Sequence, residues 1–464
     1  MDLLAPTIMV SLIACVLCVV CRPGMALGIV FASALLWPEY LRIPMGLAQM
    51  SAPRLAALVL LVRMYATSGL PTPRWRWQDT MVGVYYVWLV VANVVAGSPE
   101  AQLRTMIGSG FDTLVMYLVA RRVFAAPAEA PHVMWGLAVA ALVLAPLALL
   151  ENLTRWSPYV NALLSQYGPT VFEGGGSEVR LGMFRSFSST QVPIYFGIAM
   201  MLVAGMLFCF RHAFRPRWLL YLALGASLCC VFSSLSSGPW LSLFVAAGLN
   251  LFYWRRQLIT PAIVVAVLLM GAAEAISNRH FYHLIDRLAM GSDNAYYRSR
   301  LMEVAVEHAE DYWAFGAAGN SLVHWGQKID GRGMVDMVNN YIIVACYGGV
   351  LALILYLVIK VGVLYCLVRA FKTGSPGMRP ITFAMGALFL GLSICEVSVG
   401  IYGPALLFSY ILMGCSVSTA EWAEQWALTS AAARKKAAIA ARERQVSSAG
   451  EGVSGMGAGG VSPA

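Results

Sequence analysis

The sequence predicts an all-α polytopic membrane protein with about 12–13 transmembrane helices and two external loops, the larger one partly helical. Three observations carry that prediction. Of 464 residues, 59% are hydrophobic and only 12% are charged, against about 25% charged in an ordinary soluble domain. Apolar stretches of about 18 residues recur along the chain, each long enough to cross a hydrocarbon core of about 30 Å. The stretches lack the alternation of barrel strands, and backbone polar groups unpaired in lipid are too costly for anything but helices.

The elements follow in order. Apolar runs at 4–21, 24–38, 54–69, 80–96, 105–120 and 133–150 make an N-terminal set of transmembrane helices over 1–150, the second and fifth being the weakest signals. A first external loop, 151–190, carries Arg155, Trp156, Tyr159, a Gly174–Gly176 run, Arg180 and Arg185. Runs at 191–210, 218–233, 239–254 and 258–275 form a central set over 191–275. The large loop, 276–338, is the one long polar segment and holds Arg298, Arg300, His308, His324, Arg332 and Asp336. Within it, 297–313 predicts a helix. Leu301, Val304, Ala305 and Ala309 make one face, and Glu303, Glu307 and Asp311 recur at four-residue spacing on another. Trp313 and Phe315 suit a seat at the bilayer interface. Gly316, Gly319, Gly331 and Gly333 punctuate the rest into turns. Runs at 339–368, 380–396 and 404–420 close the membrane part over 339–420. The remainder, 421–464, starts as an Ala/Arg/Lys helix and ends in Gly, Ser and Ala, the composition of a basic, mostly disordered tail.

A net charge of +9 does not signal nucleic acid here. The basic residues sit in short connections: Arg121–Arg122, Arg211–Arg217, Arg255–Arg256, Arg369–Lys372 and the tail with Arg434, Lys435, Lys436, Arg442 and Arg444. The positive-inside rule makes these cytoplasmic, with the C-terminus, and puts 151–190, the Ser233–Gly238 turn and 276–338 outside. Thirteen spans place the N-terminus outside and twelve inside; both remain open. The ten cysteines occupy apolar runs, so they read as small buried hydrophobes rather than disulfides or thiolate ligands. Leu12–Cys15 imitates a lipoprotein processing site, but no Lys or Arg precedes it, which favours an uncleaved first helix. No internal repeat or duplicated pair of broken helices of the transporter kind is visible.

Four arginines, Arg180, Arg185, Arg298 and Arg300, lie on the outer side, where topology does not demand positive charge. A guanidinium fork pairs with two phosphate oxygens, so such a cluster suits a lipid-linked diphosphate. The alternative is pairing with Glu178, Glu303 or Glu307, or with lipid head groups. Candidate bases are His308, His324 and Asp336, with Glu303 and Glu307 behind them. A loop histidine is as readily a plain surface residue; Asp336 is better placed, just before the membrane re-entry at Tyr341. No metal is expected, since the loops show no HxxxH, CxxC or clustered carboxylates, and His280 with His283 is an unsupported pair. No Walker loop is present and no cofactor is implied, so an external reaction needs a substrate that brings its own leaving group.

Several segments resemble the superfamily of bacterial O-antigen ligases and O-antigen or exopolysaccharide polymerases. The segment 179–197, with Arg180, Gly182, Arg185, Pro193 and Gly197, is similar to their Arg, Gly and aromatic stretch leading through a proline into a helix. Ser234–Leu241 resembles the Ser-Arg-Gly element, with Ser237 where arginine is usual. Tyr297–Leu301 followed by Trp313–Gly319 resembles the start of the large loop and its Gly-x-Gly turn. Val335–Ile343 followed by Tyr347–Leu353 resembles the loop's end, with Asn339 where ligases place histidine. The likeness covers about 175–360 by motif and the whole chain by helix count and loop placement.

The resemblance implies a metal-independent, inverting glycosyl transfer at the periplasmic face of the bacterial inner membrane, with an undecaprenyl-diphosphate-linked glycan as donor. By motif, Arg298 or Arg300 binds the diphosphate with Arg180 or Arg185 assisting, and Asp336 replaces the absent histidine as base. Asn339 makes transfer to a lipid A core the less expected outcome. The expected function is therefore a polymerase joining repeat units into exopolysaccharide, capsule or O-antigen. A chain-length regulator and export machinery would be its protein partners. The rivals are a ligase, and a lipid-linked glycan flippase. A flippase wants charges lining a path through the membrane, whereas mid-span ionisable residues are few here: Asp112 and Glu396, with Glu151 and Glu274 at helix ends.

Overall fold

The computed structural model describes residues 3–67, 69–97, 99–164, 179–258, 292–317, 322–329 and 335–454, with a few isolated positions besides. The Gly174–Gly176 run, most of the expected span 258–275, the loop start at Asn278, His280, His283, Gly319, Arg332 and Gly333 lie outside the described residues. The chain is mostly helical. Among the described residues, Trp77–Ala96, Pro127–Thr154, Asn340–Thr373 and Gly403–Ser430 are long and apolar enough to cross a membrane. Leu4–Val20, Pro23–Leu36, Pro193–Cys209, Arg217–Ser233 and Arg379–Cys395 are apolar helices of 10–17 residues.

The first half comprises α1 (Leu4–Val20), α2 (Pro23–Leu36), a short hairpin β1 (Ile43–Met45) and β2 (Ala48–Met50), α3 (Ala52–Ala66) and α4 (Trp77–Ala96). Next come α5 (Pro99–Gly110), a π-helical segment (Phe111–Val115), α6 (Met116–Val123) and α7 (Ala130–Thr154). A second hairpin, β3 (Val179–Arg180) and β4 (Met183–Phe184), precedes α8 (Pro193–Cys209), α9 (Arg217–Ser233) and α10 (Ser237–Leu251). The rest is α11 (Ser292–Glu307), α12 (Val323–Ile329), α13 (Asn340–Thr373), α14 (Arg379–Cys395) and α15 (Gly403–Ser454). Proline in the first turn starts α2, α3, α7, α8 and α14, where its missing N–H costs nothing.

Helices pack closest where side chains vanish. A Cβ on Gly136 would collide with the backbone of Gly28, so α2 and α7 cross with their backbones in contact. The middle of the bundle is α8 and the first turns of α15, whose residues are almost all buried. Where a mostly disordered tail is expected after 421, α15 instead runs unbroken to Ser454. The alanine, arginine, lysine and glutamate of that stretch are strong helix formers, and no proline interrupts them. Burial against the bundle ends at Ala423.

Arg121 and Arg122, expected as loop charges, lie in the last turn of α6 and are buried. Arg121 pairs with Asp79 at 3.0 Å and Glu421 at 3.1 Å, and Arg122 donates to the Pro71 carbonyl at 3.0 Å. Low exposure forces each guanidinium to find partners. Hydrogen bonds gather the other connections at the opposite end. Ser186 N–H meets the Ser233 carbonyl at 3.0 Å, the Tyr159 hydroxyl meets the Leu36 carbonyl at 2.9 Å, and Asn340 N–H meets the Glu396 carbonyl at 2.9 Å. The described residues around 37–50, 179–192, 234–236, 292–317, 322–329, 335–339 and 396–402 therefore share one end of the bundle.

Candidate functional site

The polar segment is docked on the bundle by a break in α13. Gly348 and Gly349 leave helical geometry, with Gly349 at φ 73°, ψ −179°, a conformation open only to glycine. The break frees three carbonyls, and each finds a donor: Cys346 takes Ala317 N–H, Tyr347 takes Asn93 Nδ2 and Gly348 takes Trp88 Nε1, all at 2.7 Å. Val350 N–H returns to the Trp313 carbonyl at 3.0 Å. Phe315 stacks on Trp88 at 5.7 Å, so it seats on α4. Two motif segments read separately, Trp313–Gly316 and Tyr347–Val350, are thus one joint. The helix begins on Asn339, whose Oδ1 accepts Tyr341 N–H at 2.9 Å and Ile342 N–H at 3.2 Å. That residue is an N-cap, a structural use that needs no titration.

From this joint α11 is held with Leu301, Val304 and Ala305 buried against Leu322, Trp325, Ile329 and Cys346. Arg298, near its start, is half-buried, within electrostatic reach of Arg180 and Asp336. Burial and the Arg180 charge push its guanidinium pKa down, and Asp336 pulls it back. Asp336 is an exposed residue, yet the protein packed around its carboxyl desolvates it and holds it above the usual aspartate range, opposed by Arg298; its backbone N–H donates to the Tyr297 hydroxyl at 2.7 Å. Arg298 is thus within electrostatic reach of both Arg180 and Asp336, and a pair of neighbouring guanidiniums is the arrangement that suits an anionic group.

The other predicted arginines are spent differently. Arg185 is buried and donates to the Ser234 carbonyl at 3.3 Å and to Ser236 Oγ at 2.9 Å, pinning the β3–β4 hairpin to the α9–α10 turn. Arg180 reaches the Leu235 carbonyl at 3.4 Å from the same hairpin. Arg300 lies two residues from Arg298, about 200° around the helix, and pairs with Glu303 at 2.7 Å and Glu307 at 3.7 Å. His308 follows α11 ten residues after Arg298, about 15 Å along the axis. There it joins Asp311 and His324, in a cluster separate from Asp336. Sequence spacing does not show that grouping, since Asp311 and His324, 13 residues apart, lie on different elements.

A cavity of about 520 Å³ opens beside the charged group. Its polar lining includes Glu39, Arg42, Arg54 and Asp112, and its tyrosines include Tyr85, Tyr195, Tyr347, Tyr356, Tyr402 and Tyr410. Tyr195 and Tyr402 are also within electrostatic reach of Asp336, so cavity and cluster share a wall. Arg54 grips Asp112 through Nε at 2.8 Å and Nη2 at 2.5 Å, and donates Nη1 to the Gln49 carbonyl at 2.6 Å. Asp112 sits on the π-helical segment, a local widening that is common at functional sites. Glu39 hangs from the turn between α2 and β1. Burial and the Asp112 charge push its carboxyl up to about 7, against Arg42 and Arg54. Glu39 and Arg54 escape the sequence reading, which picks out Asp112 only as a mid-span ionisable residue. The only signal was Pro-Glu-Tyr-Leu-Arg at 38–42, charges in a short turn between apolar runs.

The fold and site define a mostly helical chain, with helices able to cross a membrane and ionisable groups gathered at one end. No protein-family model and no curated protein matches this chain.

Proposed function

We propose that this chain is a polymerase. It joins undecaprenyl-diphosphate-linked oligosaccharide repeat units into exopolysaccharide, capsule or O-antigen at the periplasmic face of the bacterial inner membrane, with its C-terminus in the cytoplasm. The shorter apolar helices count among its 12–13 spans, and partners are the lipid-linked glycan, the bilayer, a chain-length regulator and export machinery. The observation that supports the reading is Arg298 within electrostatic reach of both Arg180 and Asp336, beside the tyrosine-lined cavity. In this reading an acceptor hydroxyl attacks the anomeric carbon of the donor, and the sugar–phosphate bond breaks with inversion. The proton passes to the Asp336 carboxylate, and the departing diphosphate is neutralised by Arg180 and Arg298. Tyrosine rings and hydroxyls offer both faces that sugar units need, apolar and polar. The use of Asn339 as a helix cap, with no histidine there, favours polymerisation over ligation to a lipid A core.

The test uses purified protein in detergent with synthetic undecaprenyl-diphosphate repeat units, no nucleotide and no added metal, read as a product ladder. Arg298→Ala and Asp336→Asn are each expected to slow ladder growth by about 10²-fold or more. Wild-type ladders that persist unchanged in both variants overturn the site. Transfer to an added lipid A core, without a ladder, moves the reading to a ligase.

A further inference from the structure

We propose that His308, Asp311 and His324 form a binding site for a divalent transition-metal ion of the zinc class. The ion would clip the end of α11 to α12; the inference does not rest on the polymerase reading. The three residues come from three elements: His308 just past α11, Asp311 in the 3-10 turn Ala309–Asp311, and His324 in α12. One ligand atom from each lies within 4.8 Å of the others. His324 Nε2 and Asp311 Oδ2 are 3.0 Å apart, and the imidazoles of His308 and His324 meet edge to face at 5.7 Å. Tetrahedral ligands at about 2.0–2.1 Å from zinc stand roughly 3.3 Å from one another, so the set closes by small side-chain rotations.

The surroundings fit the assignment. Trp325 Nε1 donates to Asp311 Oδ2 at 2.8 Å, the outer-shell bond that orients a ligating carboxylate. Glu310 Oε1 lies 3.5 Å from His308 Nδ1, the ring nitrogen away from the ion, where it orients the imidazole, and water takes the fourth position. Two imidazoles with one carboxylate and a water form a zinc-type donor set. The clip also has something to hold, because the core beneath it is small: among the described residues seven are buried there, Leu301, Val304, Ala305, Leu322, Trp325, Ile329 and Cys346. Lys328 opposes the ion, with its ammonium 2.5 Å from His308 Nε2. The lysine must swing away on binding, so it acts as a built-in competitor.

The test takes full-length protein without a histidine tag, strips it with chelator, loads it with zinc chloride and removes excess metal by gel filtration. About one retained zinc per chain and a raised melting temperature are expected. The double variant His308→Ala with His324→Ala should lose that zinc, and Asp311→Asn should weaken binding about tenfold or more. Lys328→Met leaves every donor in place and should tighten zinc binding by about tenfold. It therefore keeps the test open if the histidine variants fold poorly. No retained zinc in the wild type overturns the proposal. So does wild-type stoichiometry in the double variant, which would place the ion elsewhere, or unchanged affinity in Lys328→Met.

Discussion

Replacing Glu39 with glutamine asks whether the cavity holds a carboxyl poised near neutrality. In the folded protein this group rises from an ordinary 4.5 to about 7. At about 1.36 kcal/mol per pKa unit, the shift corresponds to roughly 3 kcal/mol, and water in the cavity reduces that to about 1–3 kcal/mol. The sign follows from proton uptake. The folded state binds the proton more tightly than the unfolded chain, so this group costs nothing below about pH 4.5, and its cost grows as pH rises through about 7. Glu39→Gln removes the cost. Its stability relative to wild type should therefore climb by about 1–3 kcal/mol between pH 4.5 and pH 8.5, on top of any constant offset. Denaturant unfolding in detergent, run at a series of pH values, reads this directly. A stability gap that stays flat across the series refutes the raised carboxyl. The same variant tests chemistry: if Glu39 rather than Asp336 takes the proton, ladder growth collapses in Glu39→Gln and survives in Asp336→Asn.

Gly349→Ala should destabilise the protein by about 3 kcal/mol or more, combining left-handed strain of about 1–3 kcal/mol with a Cβ forced against the Ala314 carbonyl. Hydrogen exchange should rise first at 313–317, and a loss below 1 kcal/mol with unchanged exchange would contradict the joint described at α13. Lys360 and Glu396 form a buried ion pair, with side chains 6% and 0% exposed. Lys360→Met alone should cost about 3–5 kcal/mol, because it strands a charge, while adding Glu396→Gln should recover most of that loss. Thermal melts of the four proteins in a double-mutant cycle measure the coupling, and purely additive effects would deny it.

Much of the fold was legible because the bilayer leaves a coarse signature. Apolar runs at 4–21, 191–210, 218–233 and 380–396 coincide within a few residues with α1, α8, α9 and α14. Leu301, Val304 and Ala305 are buried as their spacing predicts, whereas Ala309, expected on the same face of a helix over 297–313, is half-buried in the 3-10 turn after the helix ends at Glu307. Site residues were legible only where local sequence decides the outcome. Arg298 and Asp336 share a loop, and their meeting could be anticipated. Arg300 could not be separated from Arg298 without the helix phase, which turns it toward Glu303. Arg185 looks like a ligand residue in sequence, yet long-range packing makes it a strut between hairpin and turn. Glu39, Arg54 and Asp112 come from three segments of a region read only as membrane helices, and nothing local distinguishes a cavity wall from a span.

The placement of α11 explains why these separate features belong to one machine. Its start carries Arg298 against Arg180 and Asp336, and its end leads into His308 and the Asp311 turn. Its middle is clamped by Leu301, Val304 and Ala305 on Trp325, and Tyr297 holds the Asp336 backbone. A rigid helix passes a disturbance at one end to the other as a tilt, so the proposed clip and the candidate anion site would be mechanically linked. The linkage is not equal in both directions. The α13 joint bonds backbone to backbone through Ala317 and Val350, and it adjoins the cavity through Tyr347. A metal clip about 15 Å from Arg298 can only steady the helix, whereas the broken helix sets where the whole polar segment stands. Glycine at 349 therefore governs the geometry of the candidate site more directly than any residue of the histidine cluster.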